Sequence, residues 1–512
     1  MMSRTEKIYW FLNKAIAAIS AVLLLFLLYY SLFYSHMFPK DYLEWEHVVS
    51  DPLWMHFVFG ILAVVLAFAI KRGIKAEKAQ KVSGIVFLAV FALMGIVYVF
   101  DGTTFSPTGD QLFLLENASL FLKGNYDGLV GGGYLAQYPY QLGLTLYMEI
   151  VTALAGEYAQ MALIVLNLLA LIVMSIVGAR LTENLFGKQV SLYYALLLIF
   201  LFPLYFYISF IYGECMSMMF SVLLVWQMSV YLKNRRVRNL IFMCLAAFAS
   251  VVFRANSMIV VIAVVIVFLL RFIKERKPML LLAALLCVAF VFAGRGLIQA
   301  GYELRSGQEV SDGIPPTGWI AMGMQEGVRG NGWYSEYGVE IYENNGYDTE
   351  LANEEAMSYI RRRLAEFADN PGIAWQFYRE KILSQWDEPS YQALLVLNAG
   401  VDHGDISQMK HEIMFGRYYD GILQFMNLFQ SLLYAAALVS ALYLILKRGE
   451  ASAYLFHFIF IGGFLFQMLW EAKSRYVLFY IVMMLPLCAM GISVICRLLE
   501  AGGKKIISKN RK

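Results

Sequence analysis

Asp110 is the residue best placed by type and surroundings to do chemistry. It follows Ser106-Pro107-Thr108-Gly109 and opens the stretch DQLFLLENASLFL, where Leu112, Leu115, Ala118 and Phe121–Leu122 recur at helical spacing. The positive end of a helix dipole favours a carboxylate at such a start. A carboxylate within hydrogen-bond reach of a hydroxyl can take its proton as general base. Asp101, at the end of the preceding apolar run, could fill that role or simply end a helix. The structural alternative for Asp110 is a plain helix N-cap. Opposite charge comes from two turns, Phe253-Arg254-Ala255-Asn256 and Glu471-Ala472-Lys473-Ser474-Arg475. Planar guanidinium suits an anionic phosphate, and charges at the ends of long apolar runs are costly and often functional. The competing readings are that Arg254 snorkels and that Glu471 and Arg475 form an i,i+4 surface ion pair.

These residues need elements to position them, and the composition says which kind. Of 512 residues, 60% are hydrophobic and 15% charged, with mean hydropathy +0.60. A soluble chain is about 45–50% apolar and about 25% charged. The solvent is therefore a bilayer, and a soluble enzyme, a nucleic-acid binder or a disordered chain is excluded. A net charge of +3 implies no polyelectrolyte partner. Runs of about 20 apolar residues fall near 8–34, 53–70, 82–100, 158–180, 190–210, 214–232, 238–253, 256–272, 278–297, 420–446, 453–470 and 475–497. The first run is too long for a signal peptide and lacks a small-residue cleavage site.

The cations sort between the runs. Lys71, Arg72, Lys75, Lys78 and Lys81 crowd one loop; Lys233, Arg235, Arg236 and Arg238 another; Arg271, Lys274, Arg276 and Lys277 a third. Lys447 and Arg448 mark a fourth, and the tail carries Lys504, Lys505, Lys509, Arg511 and Lys512. The positive-inside rule puts these loops and both termini in the cytoplasm. The 35–52 loop, with Asp41, Glu44, Glu46 and Asp51, is then outside. Residues 138–156 upset the alternation if they cross. They are short, begin with Tyr and Pro, and carry Glu149. They read as an interfacial or re-entrant helix on the outer face, anchored by Tyr138, Tyr140 and Tyr147. Two large regions, 101–157 and 298–419, face outward. The second holds a helical stretch over about 350–386 with a break at Pro371.

Other chemistry has no sequence support. Cys215, Cys244, Cys287, Cys488 and Cys496 lie in or beside apolar runs with no CxxC spacing, so they read as small buried hydrophobes, not disulfides or thiolate ligands. The histidines show no HExxH, and no Walker A or strand-linked GxGxxG occurs. The sequon Asn117-Ala118-Ser119 lies inside a helix and reads as chance.

The 101–157 loop resembles the first outer loop of GT-C membrane glycosyltransferases, in particular glycosyltransferase family 39, the protein O-mannosyltransferase and aminoarabinose transferase group. The family shows an Asp-Glu pair after a span, an amphipathic juxtamembrane helix, and an aromatic residue before a Pro step. The counterparts here are Asp110-Gln111, the helix to Gly124-Asn125-Tyr126, then Tyr134 and Tyr138-Pro139-Tyr140-Gln141-Leu142. The chain departs at Gln111, where relatives often have Glu, and at the single Pro139, where they often have two. Weaker likenesses are the turn Arg180–Lys188, the Phe202-Pro203 and Tyr212-Gly213-Glu214 turns, and Trp470–Tyr476, similar to an "RY" element. The resemblance covers about 95–300 and the last spans. It implies that Glu214 is a second acidic site beside Asp101 and Glu116, and that Tyr134, Tyr138, Gln141 and Glu471 contact substrate.

The expected fold is an all-α polytopic, GT-C-like bundle of about twelve transmembrane helices, with outer-face juxtamembrane helices and a small extracytoplasmic domain. Residues 1–81 add two helices before a catalytic core at 82–297; 298–419 form the outer domain; 420–512 supply the last spans and a basic tail. The expected function is inverting transfer of a sugar from a polyprenyl-phosphate donor to a glycopolymer, lipid or protein acceptor outside the membrane. Asp110 would be the base, with Arg254, Lys473 and Arg475 on the phosphate. Sugars stack on aromatic rings, which marks Trp333 and Trp386 among Trp319, Tyr334 and Trp375. Asp110, Asp101 and Glu214 could jointly hold a divalent ion or act without one. A secondary transporter or flippase would show charges in mid-span and an inverted repeat; a polysaccharide polymerase would rely on outer-loop arginines. The features suit a bacterial plasma membrane, with an endoplasmic reticulum enzyme left open.

Overall fold

The computed structural model describes residues 4–40, 42–447, 449 and 451–509, with backbone only for Arg4 and 503–509. Asp41, Arg448, Arg511 and Lys512, and the side chains of Lys504, Lys505 and Lys509, lie outside the described residues. The protein is an all-α multi-pass membrane bundle. Among the described residues the exception is a two-stranded antiparallel hairpin, Tyr34–Met37 with His47–Ser50.

Among the described residues, ten helices are long and apolar enough to cross a bilayer. The other two expected crossings are less regular. Lys188–Phe200 and Pro203–Ser209 meet at a 59° bend, and Val237–Phe253 has only 17 residues. The bend falls where Pro203 cannot donate to a preceding turn. The Met279–Ser306 helix continues nine residues past the expected 297.

Arg475–Lys509 is the axis of the bundle, with 94% of its apolar window buried. It packs against Tyr419–Leu446 and Lys188–Phe200. A Cβ on Gly491 would stand 1.8 Å from the Ala436 carbonyl oxygen, so only glycine permits this approach. Arg4–Phe33 packs along Tyr419–Leu446 and Ala451–Leu469, tying the first helix to the C-terminal ones.

The bundle has two distinct ends. At one, Lys71 pairs with Glu500, Lys188 with Glu77, and Arg235 with Glu275; the basic loops gather here. At the other, Ile211 N–H donates to Gln111 (2.9 Å), Gln160 to the Phe105 carbonyl, and Ala472 N–H to Gly332 (2.7 Å). Residues 138–156 stay at this loop-bearing end. Their helix, Leu142–Ala155, is about 21 Å long, short of the ~30 Å core. Gly143 meets Val252 at its start, and Glu149 bonds Tyr302 (3.0 Å) and pairs with Arg305 at the far end of Met279–Ser306. Gly156, with φ +56°, then ends the helix before Ala159–Phe186 descends.

The polar 298–419 region divides. Helices Pro316–Met322, Tyr337–Asn344, Thr349–Asp369 and Pro371–Trp386 enclose a second hydrophobic core around Trp319, Tyr342, Phe367 and Phe377. Residues past Ile382 belong instead to the main core: Trp386 is fully buried against Tyr480, Phe460 and Phe464, and Tyr391, Leu394 and Leu397 follow it inward. All five cysteines are free and buried; Cys244 and Cys287 approach only to 3.9 Å. Asn117 is buried, its amide donating to the Phe113 carbonyl.

Candidate active site

A cavity of about 550 Å³ opens at the loop-bearing end. Asp110 lines it as the first residue of the Asp110–Leu122 helix, but it is not the cap: Gly109 holds that position. Among the described residues no hydrogen bond or ion pair ties the Asp110 carboxylate. Gln111, next to it, is buried and accepts from the Ile211 N–H, a task that a neutral amide fulfils. Gln111 thus has a structural role.

A tyrosine cluster surrounds the acid. Gln141 Nε2 donates to Tyr212 Oη at 2.6 Å, and Tyr134 Oη lies 3.2 Å from the same oxygen. Burial pushes the Tyr134, Tyr138 and Tyr212 phenols well up, and the nearby Asp110 charge adds to this. They stay protonated and available as donors.

The cations differ in how they are engaged. Arg254 stacks over the Tyr212 ring at 4.7 Å and meets Glu214 at 3.5 Å. Burial works against its charge, and Glu214, Tyr212 and Tyr476 together outweigh that and hold the guanidinium's pKa up. Glu214 is buried, and among the described residues neither of its oxygens has a hydrogen-bond partner. Arg475 stands among the rings of Tyr476 (5.3 Å), Tyr212 (5.5 Å) and Phe210 (5.7 Å). Its Nε is buried and unbonded, and it has no ion pair among the described residues. Lys473 is already engaged, by Glu471 at 3.6 Å and Glu44 at 3.8 Å. Glu44 also binds Arg329 at 2.8 Å; burial would raise its pKa, and Lys473, Arg475 and Arg329 together hold it low. Glu471 accepts from Tyr476 at 3.3 Å instead of pairing with Arg475, because residues 471–474 are not helical.

The 470–476 turn is held from below. The fully buried Lys381 Nζ lies in hydrogen-bond reach of the carbonyls of Gly323, Met468 (2.9 Å) and Trp470 (2.7 Å). Glu388, also buried, accepts from Ser474 Oγ (2.7 Å), Gln392 N–H (2.7 Å) and Ser390 N–H (2.8 Å).

Asp110, Tyr134, Tyr138, Gln141, Arg254, Lys473, Arg475 and Glu471 therefore line one cavity, and Glu214 touches it through Arg254. Four expected site residues do not reach it. Asp101 is locked to Lys410 (2.7 Å) and Ser407 (2.6 Å) near the end of Glu77–Val99, so it does not join Asp110 and Glu214. No three of His, Cys, Asp or Glu converge as a ligand set among the described residues. Glu116 is exposed further along its helix. Trp333 is buried, donating to Ser384 (2.9 Å) and packing on Phe38, and Trp386 belongs to the bundle core. The aromatic wall comes instead from Trp319 and Trp470, stacked at 6.0 Å and 19°. Sequence reasoning also missed Arg295, a cation lining the cavity from within the Met279–Ser306 helix. Its lone charge in an apolar run was the available signal.

No family model matches the sequence, and no curated protein matches it. Among solved structures, the chain is similar to the oligosaccharyltransferase AglB of Archaeoglobus fulgidus, solved in complex with an inhibitory peptide and a dolichol-phosphate. Identity is 13%, with 83% of this chain and 52% of that chain covered and a TM-score of 0.43. The apo form of the A. fulgidus oligosaccharyltransferase gives the same identity and coverage and a TM-score of 0.44. The chain spans about half the length of these structures.

Proposed function

We propose that the protein is an inverting glycosyltransferase that moves a sugar from a polyprenyl-phosphate donor to a hydroxyl acceptor on the extracytoplasmic face. The observation that carries this is the unengaged Asp110 carboxylate sharing a cavity with the unpaired Arg475 guanidinium. In the reaction the acceptor oxygen attacks the sugar C1 and its proton passes to Asp110. The C1–O bond to phosphate breaks on the opposite face and the lipid phosphate departs with the electron pair. Arg475 and Arg254 receive that negative charge, in surroundings from which tyrosine rings exclude water. The phenols and Gln141 hold sugar hydroxyls, and Trp319 and Trp470 offer a stacking face. The acceptor is a glycan, lipid or protein of the cell surface.

Asp110→Asn keeps size and shape and removes the base. Sugar transfer by purified protein, followed with a labelled polyprenyl-phosphate sugar, should fall by about 10²–10⁴-fold, while expression and membrane insertion stay near normal. Transfer at the wild-type rate would remove Asp110 as the base.

A further inference from the structure

At the basic end of the bundle, a second cavity of about 660 Å³ opens between the helices Glu77–Val99, Ala159–Phe186 and Lys188–Phe200. Its lining is sorted along its length. Lys81, Arg180, Glu183 and Lys188 stand at the mouth, while Ile85, Leu88, Ile172 and Ile176 line the way inward. Small side chains at Ala89, Ala179 and Ala195 leave the space. On the first helix the lining runs from Gln80 to Ala92, an axial length of about 18 Å, more than half of the ~30 Å hydrocarbon core. The occupant must therefore be elongated, apolar over most of its length and polar at one end. Water is a poor filler for such a slot.

The charge at the mouth specifies the head. Lys188 is paired with Glu77. Lys81 and Arg180 are exposed, with no hydrogen bond or ion pair among the described residues. Two unengaged cations against the single acid Glu183 leave one positive charge uncompensated, which matches one phosphodiester. Basic recesses between transmembrane helices near a membrane surface are suited to anionic lipid headgroups.

We propose that this cavity binds one anionic phospholipid, with its phosphate between Lys81 and Arg180 and an acyl chain along the apolar walls. The site is separate from the Asp110 cavity and does not depend on the reaction assigned there.

The test is native mass spectrometry of the full chain in neutral detergent, titrated with phosphatidylglycerol or phosphatidylcholine. Phosphatidylglycerol should be retained at about tenfold lower concentration than phosphatidylcholine, and the double variant Lys81→Gln/Arg180→Gln should lose about tenfold of that preference. Ala89→Leu/Ala179→Leu keeps the charges, fills the slot and should also release the lipid. Arg236→Gln/Arg238→Gln, at the same end but outside the cavity, should retain it. Equal retention of both lipids, or equal loss in this last variant, would overturn the proposal. So would displacement of the lipid by glycerol phosphate or inorganic phosphate, which would make the ligand a free anion.

Discussion

Glu214 and Asp110 stand in opposite situations. Glu214 is buried and faces Arg254, whereas Asp110 is half-buried and has no hydrogen bond or ion pair among the described residues. An acid already balanced by a cation serves to position it; an unbalanced one is free to accept a proton. The cations divide in the same way. Arg475→Met should lower transfer by about 10²-fold, the usual loss for one preorganised charge donor. Lys473→Met should cost far less, because Glu44 and Glu471 already neutralise that ammonium. Equal losses in the two variants, measured with the same labelled donor, would refute the division. Lys381 allows a test of pH dependence. Burial pushes its ammonium down to about 7 from an ordinary 10.5, against the pull of Glu471. Between those values the unfolded chain holds the proton and the folded one does not. Stability from this group therefore rises with pH through that window and is flat below it. Lys381→Met should flatten the rise, seen by comparing thermal midpoints at about pH 6 and about pH 9. Parallel profiles in the two proteins would sink the assignment.

At the scale of elements, the clearest expectation concerns Gly491. Gly491→Leu should separate Arg475–Lys509 from Tyr419–Leu446 and lower the thermal midpoint sharply, since the clash is with backbone and no rotamer relieves it. A midpoint near wild type would show that the two helices can slide. Elements with a local cause were legible in the sequence. The Asp110–Leu122 helix lies where its apolar spacing put it, and the break before Pro371–Trp386 falls at the proline. The crossings were legible because hydropathy is a property of a window. Side-chain destinations depend on residues far away. Asp101 is held by Lys410, 309 positions on, and no local pattern connects them. Trp319 and Trp333 both stand among glycines, yet one walls the cavity and the other packs on Phe38. The Arg295 charge was visible, but its direction into the cavity depends on how Met279–Ser306 rotates against its neighbours.

For the whole molecule, the two ends differ in kind: one carries ion-paired basic turns, the other long loops and the cavity. Orientation in the membrane follows if the basic end is cytoplasmic. The native cysteines are buried, so single introduced cysteines report accessibility in intact cells. Lys123→Cys, Asn344→Cys and Glu157→Cys, at exposed positions of the loop end, should label from outside; Lys75→Cys should not. Labelling at 75 alone would invert the molecule. Protection at 157 with labelling at 123 would mean that 138–156 crosses after all.

The inward course of residues 386–401 bears on how the protein can be taken apart. The region between Ser306 and Tyr419 looks like a cassette on the chain, with its own core around Trp319 and Phe367. Yet its last third threads among the crossings, and Glu388 and Gln392 contact the turn that carries Arg475. A chimera that exchanges the whole region would exchange the foundations of the cation turn along with the outer helices. A graft confined to about 308–380 would keep Glu388 and Gln392 but would still exchange Gly323 and Gly332, whose carbonyls meet Lys381 and the Ala472 N–H, so the turn draws its support from both parts of the region.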